Sequence, residues 1–241
     1  MSTAAIVVIG NEVLSAKVTD ANGPFLAQEL RALGVELRRI ETVPDEIPLI
    51  VDALARARSS GHWVFTSGGI GPTHDDVTIA AIAQAFGVEV VHDPKTLSML
   101  HERFGHTLKP ALRRLAEIPR GCEVVWSEGF MFPVLVMERV VVLPGVPSLL
   151  REAFTRVRER FRAAPIFSGA VFLSLPESRI AEFLDATVAE FPQVGIGSYP
   201  RFDDADHRVK VTFDGRDQDI VRRAQQAFVT RLPPGAVLRE E

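Results

Sequence analysis

The sequence predicts an α/β protein: a three-layer α/β/α domain over residues 1–162, followed by a small α+β module over residues 166–241. Three observations carry this. Short runs of β-branched residues, such as Ala5-Ile6-Val7-Val8-Ile9-Gly10 and Trp63-Val64-Phe65, alternate with segments of helical periodicity, the order expected of a doubly wound layer structure. The alternation breaks at Arg162-Ala163-Ala164-Pro165, after which the order becomes strand, helix, strand, strand, helix, which suits an antiparallel module. Finally, 46% of the 241 residues are hydrophobic, enough for a real core.

Each element has a local reason. Ala5 to Ile9 is continuously apolar, as a parallel strand covered by helices on both faces must be. Asn22-Gly23-Pro24 offers a cap and a helix-starting proline, Leu26, Leu30 and Leu33 share one face, and Gly34 stops the helix. Val35 to Ile40 is the next strand, Pro48 to Arg58 the next helix, and Trp63 to Thr66 the third strand. A helix over Val77 to Phe86 is stopped by Gly87. Pro94 to Phe104 and Pro110 to Glu117 read as helices, Val134 to Met137 and Val140 to Leu143 as a hairpin turning at Glu138-Arg139, and Ser148 to Phe161 as one long helix. Its arginines are interleaved with Glu152 and Glu159, which marks a solvated face. The module follows as a strand over Ala170 to Leu175, a helix over Glu177 to Phe191, strands near Val194 to Tyr199 and Arg208 to Phe213, and a helix over Asp217 to Arg231.

Composition removes several function classes. A formal net charge of -4 gives no whole-chain attraction to nucleic acid or to an anionic membrane, so neither is an expected partner. The one cysteine, Cys122, has no disulfide partner in the chain, and no basic region marks a secretion signal at the N-terminus. No apolar run approaches the roughly 20 residues needed to span a bilayer. The cytoplasm is the expected location.

The most informative stretch is Thr66-Ser67-Gly68-Gly69-Ile70-Gly71-Pro72-Thr73-His74-Asp75-Asp76-Val77-Thr78, between a strand and a helix. Glycines let backbone N–H groups approach an anion, and a helix N-terminus adds partial positive charge. Asp75 and Asp76 would reach a phosphate through a hard cation such as Mg²⁺. Equally, the glycines would serve tight strand-to-helix packing, with an aspartate as cap. His74 is placed to touch phosphate or move a proton. His62, His92, His101, His106 and His207 lack paired ligand spacing and read as surface or satisfied residues, and Cys122 reads as inert filling.

Four loops stand where strands end: Gly10-Asn11-Glu12, Thr19-Asp20-Ala21-Asn22-Gly23, the glycine corner, and Leu143-Pro144-Gly145-Val146-Pro147-Ser148. In an open α/β sheet such loops share one edge, where ligands bind. Glu12, Asp20, Asp75 and Asp76 would then supply carboxylates, and Gly68, Gly69, Gly71 and Gly145 bare backbone, to a metal-bound phosphate ligand.

These motifs, in this order, resemble those of the molybdopterin-binding, MogA/MoaB-like domain in its competence-damage CinA form. The resemblance rests on Ile9-Gly10-Asn11-Glu12-Val13-Leu14, Asp20-Ala21-Asn22, Gly68 to Thr78 and Leu143-Pro144-Gly145-Val146-Pro147, and is dense over about residues 4 to 161. Ile196-Gly197-Ser198-Tyr199-Pro200 and Arg208-Val209-Lys210-Val211-Thr212 resemble the small module that follows in CinA proteins and in the N-terminal half of eukaryotic FAD synthases; Phe132-Pro133-Val134-Leu135 leans toward the latter.

The resemblance implies a metal and phosphate site. Asp20 and Asp76 match carboxylates regarded as catalytic or metal-binding, with Asp75 a further metal ligand. Glu12 matches a site acid of the first loop; Gly68, Gly69 and Gly71 match the cradle for a pterin phosphate or pyrophosphate, and Gly145 and Ser148 sit in the loop lining the other wall, with Asn22, Ser67, Pro72, Thr73 and His74 expected beside them as substrate-binding residues. The implied activity is a divalent-metal-dependent (Mg²⁺, Mn²⁺ or Co²⁺) pyrophosphatase on a nucleotide-linked diphosphate of the ADP-ribose or FAD kind. Adenylyl transfer to molybdopterin, or non-enzymatic binding of a pterin or nucleotide, are the alternatives, with assembly as a homodimer or trimer. Two departures concern the substrate: Arg114-Leu115-Ala116 stands where CinA proteins carry Lys-Gln-Ala, and Trp126-Ser127-Glu128-Gly129 replaces an Asn-Pro-x-Gly stretch. Nothing in these residues resembles an amidase or adenylyl-transferring domain, so deamidation of nicotinamide nucleotides and FAD synthesis are not expected of them.

Overall fold

The computed structural model describes residues 2–105, 107–129, 132–201 and 206–241; His106 lies outside them. The chain divides into two compact units, Met1–Ala163 and Ala164–Glu241.

In the first unit β1 (Thr3–Ile9) leads through a short helix α1 (Asn11–Leu14) to α2 (Asn22–Ala32), β2 (Glu36–Val43), α3 (Ile47–Ser60), β3 (Trp63–Ser67) and α4 (Thr78–Phe86). Then come β4 (Val90–His92), α5 (Pro94–Phe104), α6 (Pro110–Arg114), β5 (Glu117–Pro119), β6 (Glu123–Val125), β7 (Val134–Met137), β8 (Val140–Leu143) and α7 (Pro147–Val157). Six strands form one sheet in the order β2-β1-β3-β8-β7-β6. The first four run parallel; β7 and β6 extend the sheet antiparallel, β7 turning back on β8 through Glu138, whose φ of 51° puts it in the left-handed region.

Alternation along the central strands creates the three layers. Ala4, Ile6 and Val8 of β1 face Leu26 and Leu30 of α2 and Leu150, Phe154 and Val157 of α7. Ala5, Val7 and Ile9 face Ile50, Leu54 and Ala57 of α3 and Ile79 and Ile82 of α4. A strand buried on both faces needs apolar residues at every position, which is why β1 carries no polar alternation. Phe154 is fully buried, edge-on to Phe25 and Phe65 and stacked on Phe161. Outside the main sheet, β4 pairs with β5 beside a small cluster of Leu100, Leu108 and Ala116.

The second unit is a four-stranded antiparallel sheet in the order β10-β11-β9-β12, made of β9 (Phe167–Leu173), β10 (Gly195–Pro200), β11 (Val209–Gly215) and β12 (Val237–Glu240). Helices α8 (Ala181–Glu190) and α9 (Gln218–Arg231) accompany it, and Val171, Phe213 and Phe228 sit in its core. Among the described residues no helix is long and apolar enough to cross a membrane.

Several sequence expectations need correction. The helix expected over Pro110 to Glu117 ends at Arg114, because Glu117–Pro119 pairs with Val90–His92 as a strand. The long helix to Phe161 loses α-geometry after Val157 and closes in a 3-10 turn, Arg158–Phe161. Glu177–Arg179 is likewise a 3-10 turn ahead of α8. Asn22 is not a cap: the Asp20 carboxylate accepts from the N–H groups of Asn22 (2.9 Å) and Gly23 (3.1 Å), leaving the Asn22 side chain for other partners.

Gly68 fixes how the parallel strands end. Its φ is +105°, its N–H donates to the Leu143 carbonyl at 3.2 Å, and a Cβ there would stand 2.2 Å from the Ile9 carbonyl oxygen. Substituting Gly68→Ala is expected to cost about 2–6 kcal/mol, left-handed strain and overpacking each contributing about 1–3. Urea titration followed by circular dichroism measures this, and a loss below about 0.5 kcal/mol would show that the strand ends separate freely.

Cys122, half-buried against the α3–α4 side of the sheet, has its thiol pushed up to about 11 by burial and by the nearby Asp93 charge. Only the thiolate attacks a disulfide. Modification of the native chain by a disulfide reagent at pH 8 is therefore expected to be about 100-fold slower than that of a free thiol, and to become fast on unfolding.

Candidate functional site

At the carboxyl ends of β1, β3 and β8 lies a cleft of about 560 Å³, wholly within the first unit. The edge is the one the topology dictates, since loops leaving parallel strands gather there. Its apolar lining includes Ile70, Ile118, Phe132 and Leu149. Its charged lining is strongly acidic: Glu12, Asp45, Asp75, Asp76 and Glu117 contribute five carboxylates against a single guanidinium, Arg114.

Of the residues singled out from sequence, Glu12, Gly68, Gly69, Gly71 and Gly145 line this cleft, together with Pro72, Thr73, Asp75 and Asp76. Each glycine is packed closely within the chain. A Cβ on Gly69 would meet the Thr78 hydroxyl at 2.3 Å, on Gly71 the Asp76 carboxylate at 2.6 Å, and on Gly145 the Gly68 Cα at 3.2 Å. The corner is thus folded tightly on itself, with Thr78 Oγ1 donating to the Gly68 carbonyl at 2.8 Å and its N–H to Gly69 at 2.9 Å.

The acid turn is organised by Thr73. Its N–H donates to Asp76 Oδ2 at 2.7 Å, and its hydroxyl lies 2.6 Å from the same oxygen and within hydrogen-bonding distance of Asp75 Oδ1. A hydroxyl has one proton, so it serves one carboxylate at a time while the other faces its lone pairs. The Thr73 hydroxyl is also the largest cause holding Asp75 below its ordinary value, followed by Asp75's own backbone bond and then the fields of His74 and Arg114. Asp75 and Asp76 meet on one hydroxyl and offer carboxylate oxygens. Among the described residues no three histidine, cysteine or acidic side chains come together as a metal cluster, and oxygen donors of this kind suit a hard cation.

Five expected residues lie outside the lining. Asp20 is engaged with the start of α2. Asn22 is buried and donates from Nδ2 to Ser67 Oγ at 2.8 Å and to the Gly145 carbonyl at 2.7 Å, so Asn22 and Ser67 tie three loops together; Asn22 Oδ1 is buried without a partner among the described residues. His74 points to solvent, its side chain 97% exposed, with Nδ1 3.8 Å from Asp75 Oδ1. Ser148 is exposed on the first turn of α7.

Three charged lining residues were not among the expected site residues: Asp45, Arg114 and Glu117, the last at the start of β5, in a segment read as helix. Asp45 accepts from the Asn11 N–H at 2.8 Å, just beyond β2. The rule that placed the other loops at strand ends would have found it, had the strand been carried to Val43 instead of Ile40. Arg114 stood out as a departure from a family pattern, but its reach to the acid turn, 38 residues away in sequence from Asp76, leaves no local signal.

Comparison with known proteins agrees with this architecture. Residues 5–163 match the model of the probable molybdopterin binding domain, and residues 165–241 that of the FAD synthase middle domain. A protein of Archaeoglobus fulgidus is 33% identical over 223 residues, 92% of this chain and 95% of its own. The probable FAD synthase of Caenorhabditis briggsae is 32% identical over 255 residues; the match takes in 94% of this chain but 49% of the relative, so the chain spans about half the length of that protein. The crystal structure of a CinA protein of unknown function from Thermoplasma acidophilum aligns with a TM-score of 0.62 at 28% identity, covering 66% of this chain and 98% of that one. Matched in succession by both models and nearly end to end by relatives of its own length, the chain belongs to the molybdopterin-binding-domain family, in the form that carries the FAD synthase middle domain behind it.

Proposed function

We propose that the first unit is a divalent-metal-dependent pyrophosphatase acting on a nucleotide-linked diphosphate of the ADP-ribose or FAD type. The observation that supports this reading is the charge of the cleft: five carboxylates and one guanidinium would repel a diphosphate unless a cation enters with it. Asp75 and Asp76 would hold that cation, its remaining positions going to water and phosphate oxygens, as a hard cation with few protein ligands requires. When bound, the metal supplies charge neutralisation at the diphosphate and a more acidic water.

The chain's own residues do the positioning. Thr73 orients both carboxylates. Glu12 and Asp45 offer acceptors for ribose hydroxyls, and the apolar lining formed by Ile70, Ile118, Phe132 and Leu149 excludes water from a flat ring. That same lining favours a second reading, a pterin ligand, in line with the family's name; the activity would then be adenylyl transfer to molybdopterin, or binding without turnover.

One panel separates these readings: purified chain with Mg²⁺, Mn²⁺ or Co²⁺ and, in turn, ADP-ribose, FAD, NAD, or ATP with molybdopterin. Metal-dependent AMP release from ADP-ribose or FAD is the expected result. Adenylylated pterin selects the transferase, and metal-insensitive binding without product selects the binder.

Within the hydrolase reading, Asp76→Asn is expected to lower turnover by about 100-fold or more, because the amide keeps an acceptor for the Thr73 N–H but loses the charge. Near-normal turnover, with unchanged metal dependence and an unchanged melting curve, would sink the assignment.

A further inference from the structure

The acid turn belongs to no helix or strand, and its internal hydrogen bonds are few: Thr73 N–H to Asp76 Oδ2 at 2.7 Å, the shared Thr73 hydroxyl, and Asp76 N–H to the Thr73 carbonyl at 3.3 Å. Two like charges on such a turn push it open. What opposes them comes from a distant part of the chain. Arg114, at the end of α6, donates through one terminal nitrogen to the Thr73 carbonyl and through the other to the Asp76 carbonyl at 2.8 Å. The guanidinium fork thus spans the turn from its first to its last residue, and both donors are committed to main-chain oxygens. Among the described residues Arg114 makes no ion pair, although five carboxylates line the same cleft.

The base of this fork is fixed. Two residues on, Ala116 is buried, its N–H donates to the Arg113 carbonyl at 3.0 Å, and its carbonyl accepts from Asp93 N–H at 2.8 Å where β4 and β5 meet. A planar fork on a fixed backbone has a geometry that a lysine's flexible ammonium does not reproduce.

We propose that Arg114 is a positioning residue: it clamps the Thr73–Asp76 turn so that the two carboxylates stay close enough to share one cation, without itself touching the reacting phosphate. The part of this concerning the cation rests on the metal reading of the cleft; the clamping does not. In consequence, Arg114 would stabilise the turn before any ligand arrives.

The test uses the full chain and two variants, R114M and R114K. Hydrogen exchange of the peptide covering residues 70–78, measured without metal, is expected to quicken about 10-fold in R114M, with R114K between it and the wild type and the exchange of β1 and β3 unchanged. Mn²⁺ retention, read from the free-ion resonance signal, is expected to weaken by about 10-fold in R114M, the scale on which residues that orient metal ligands act. Unchanged exchange in a normally melting R114M overturns the clamp. Unchanged Mn²⁺ retention with lost turnover overturns the cation-holding part of the proposal, in favour of direct contact with phosphate. A wild type that retains no Mn²⁺ while R114M still loosens the turn would refute the metal reading and leave the clamp standing. Should R114M not fold, the wild type and R114K carry the same comparison.

Discussion

The first unit depends on how closely three parallel strand ends approach one another. β1 stops at Ile9, β3 runs into Gly68, and β8 stops at Leu143; Gly68 bonds to the last and leaves no room for a side chain against the first. Because Gly145 in turn lies against Gly68, the loop after β8 is placed by the same residue. The Asn22 amide fastens the start of α2 to both. The cleft is what remains above this junction, so its shape is set by backbone packing before any ligand chemistry enters.

This bears on what a glycine motif says. From the sequence, Gly68, Gly69 and Gly71 served an anion cradle and a packing turn equally well. In the structure each has a protein atom where its Cβ would be; at Gly68 and Gly69, where φ is also positive, that is sufficient reason for glycine, whereas at Gly71 the atom is the end of the Asp76 side chain. The acids tell more, because packing does not require Asp75 and Asp76 to converge on a single hydroxyl.

The long alternating elements were legible because their periodicity is a local property: β1, α2, α3, β3 and the β7–β8 hairpin lie where the apolar pattern puts them. The three-residue strands β4, β5 and β6 were not, since so short a segment has no period and becomes a strand only through its partner. β12 escaped for a related reason, its Leu238-Arg239-Glu240 acquiring meaning only beside β9. The site divides in the same way. The glycine corner and its acids form one contiguous motif, whereas Arg114 and Asp45 are joined to it by bonds spanning tens of residues. Asn22 was misread because its type suits a helix cap, a task that Asp20, two residues earlier, performs.

The strand order also settles the two margins of the main sheet. At one margin, β2 exposes Arg38, Arg39 and Ile40, and Arg39 pairs along its own strand with Glu41 at 3.5 Å. A foreign strand docking there would have to bury two guanidinium groups that are now solvated. At the other margin, β6 offers three residues, and Glu123 at its start is held by Arg160 at 2.6 Å. A sheet with so apolar a centre is a hazard for open-ended growth into fibres during synthesis and folding. Here charge guards one border and brevity the other, so the most hydrophobic strands of the chain are the ones with no free edge.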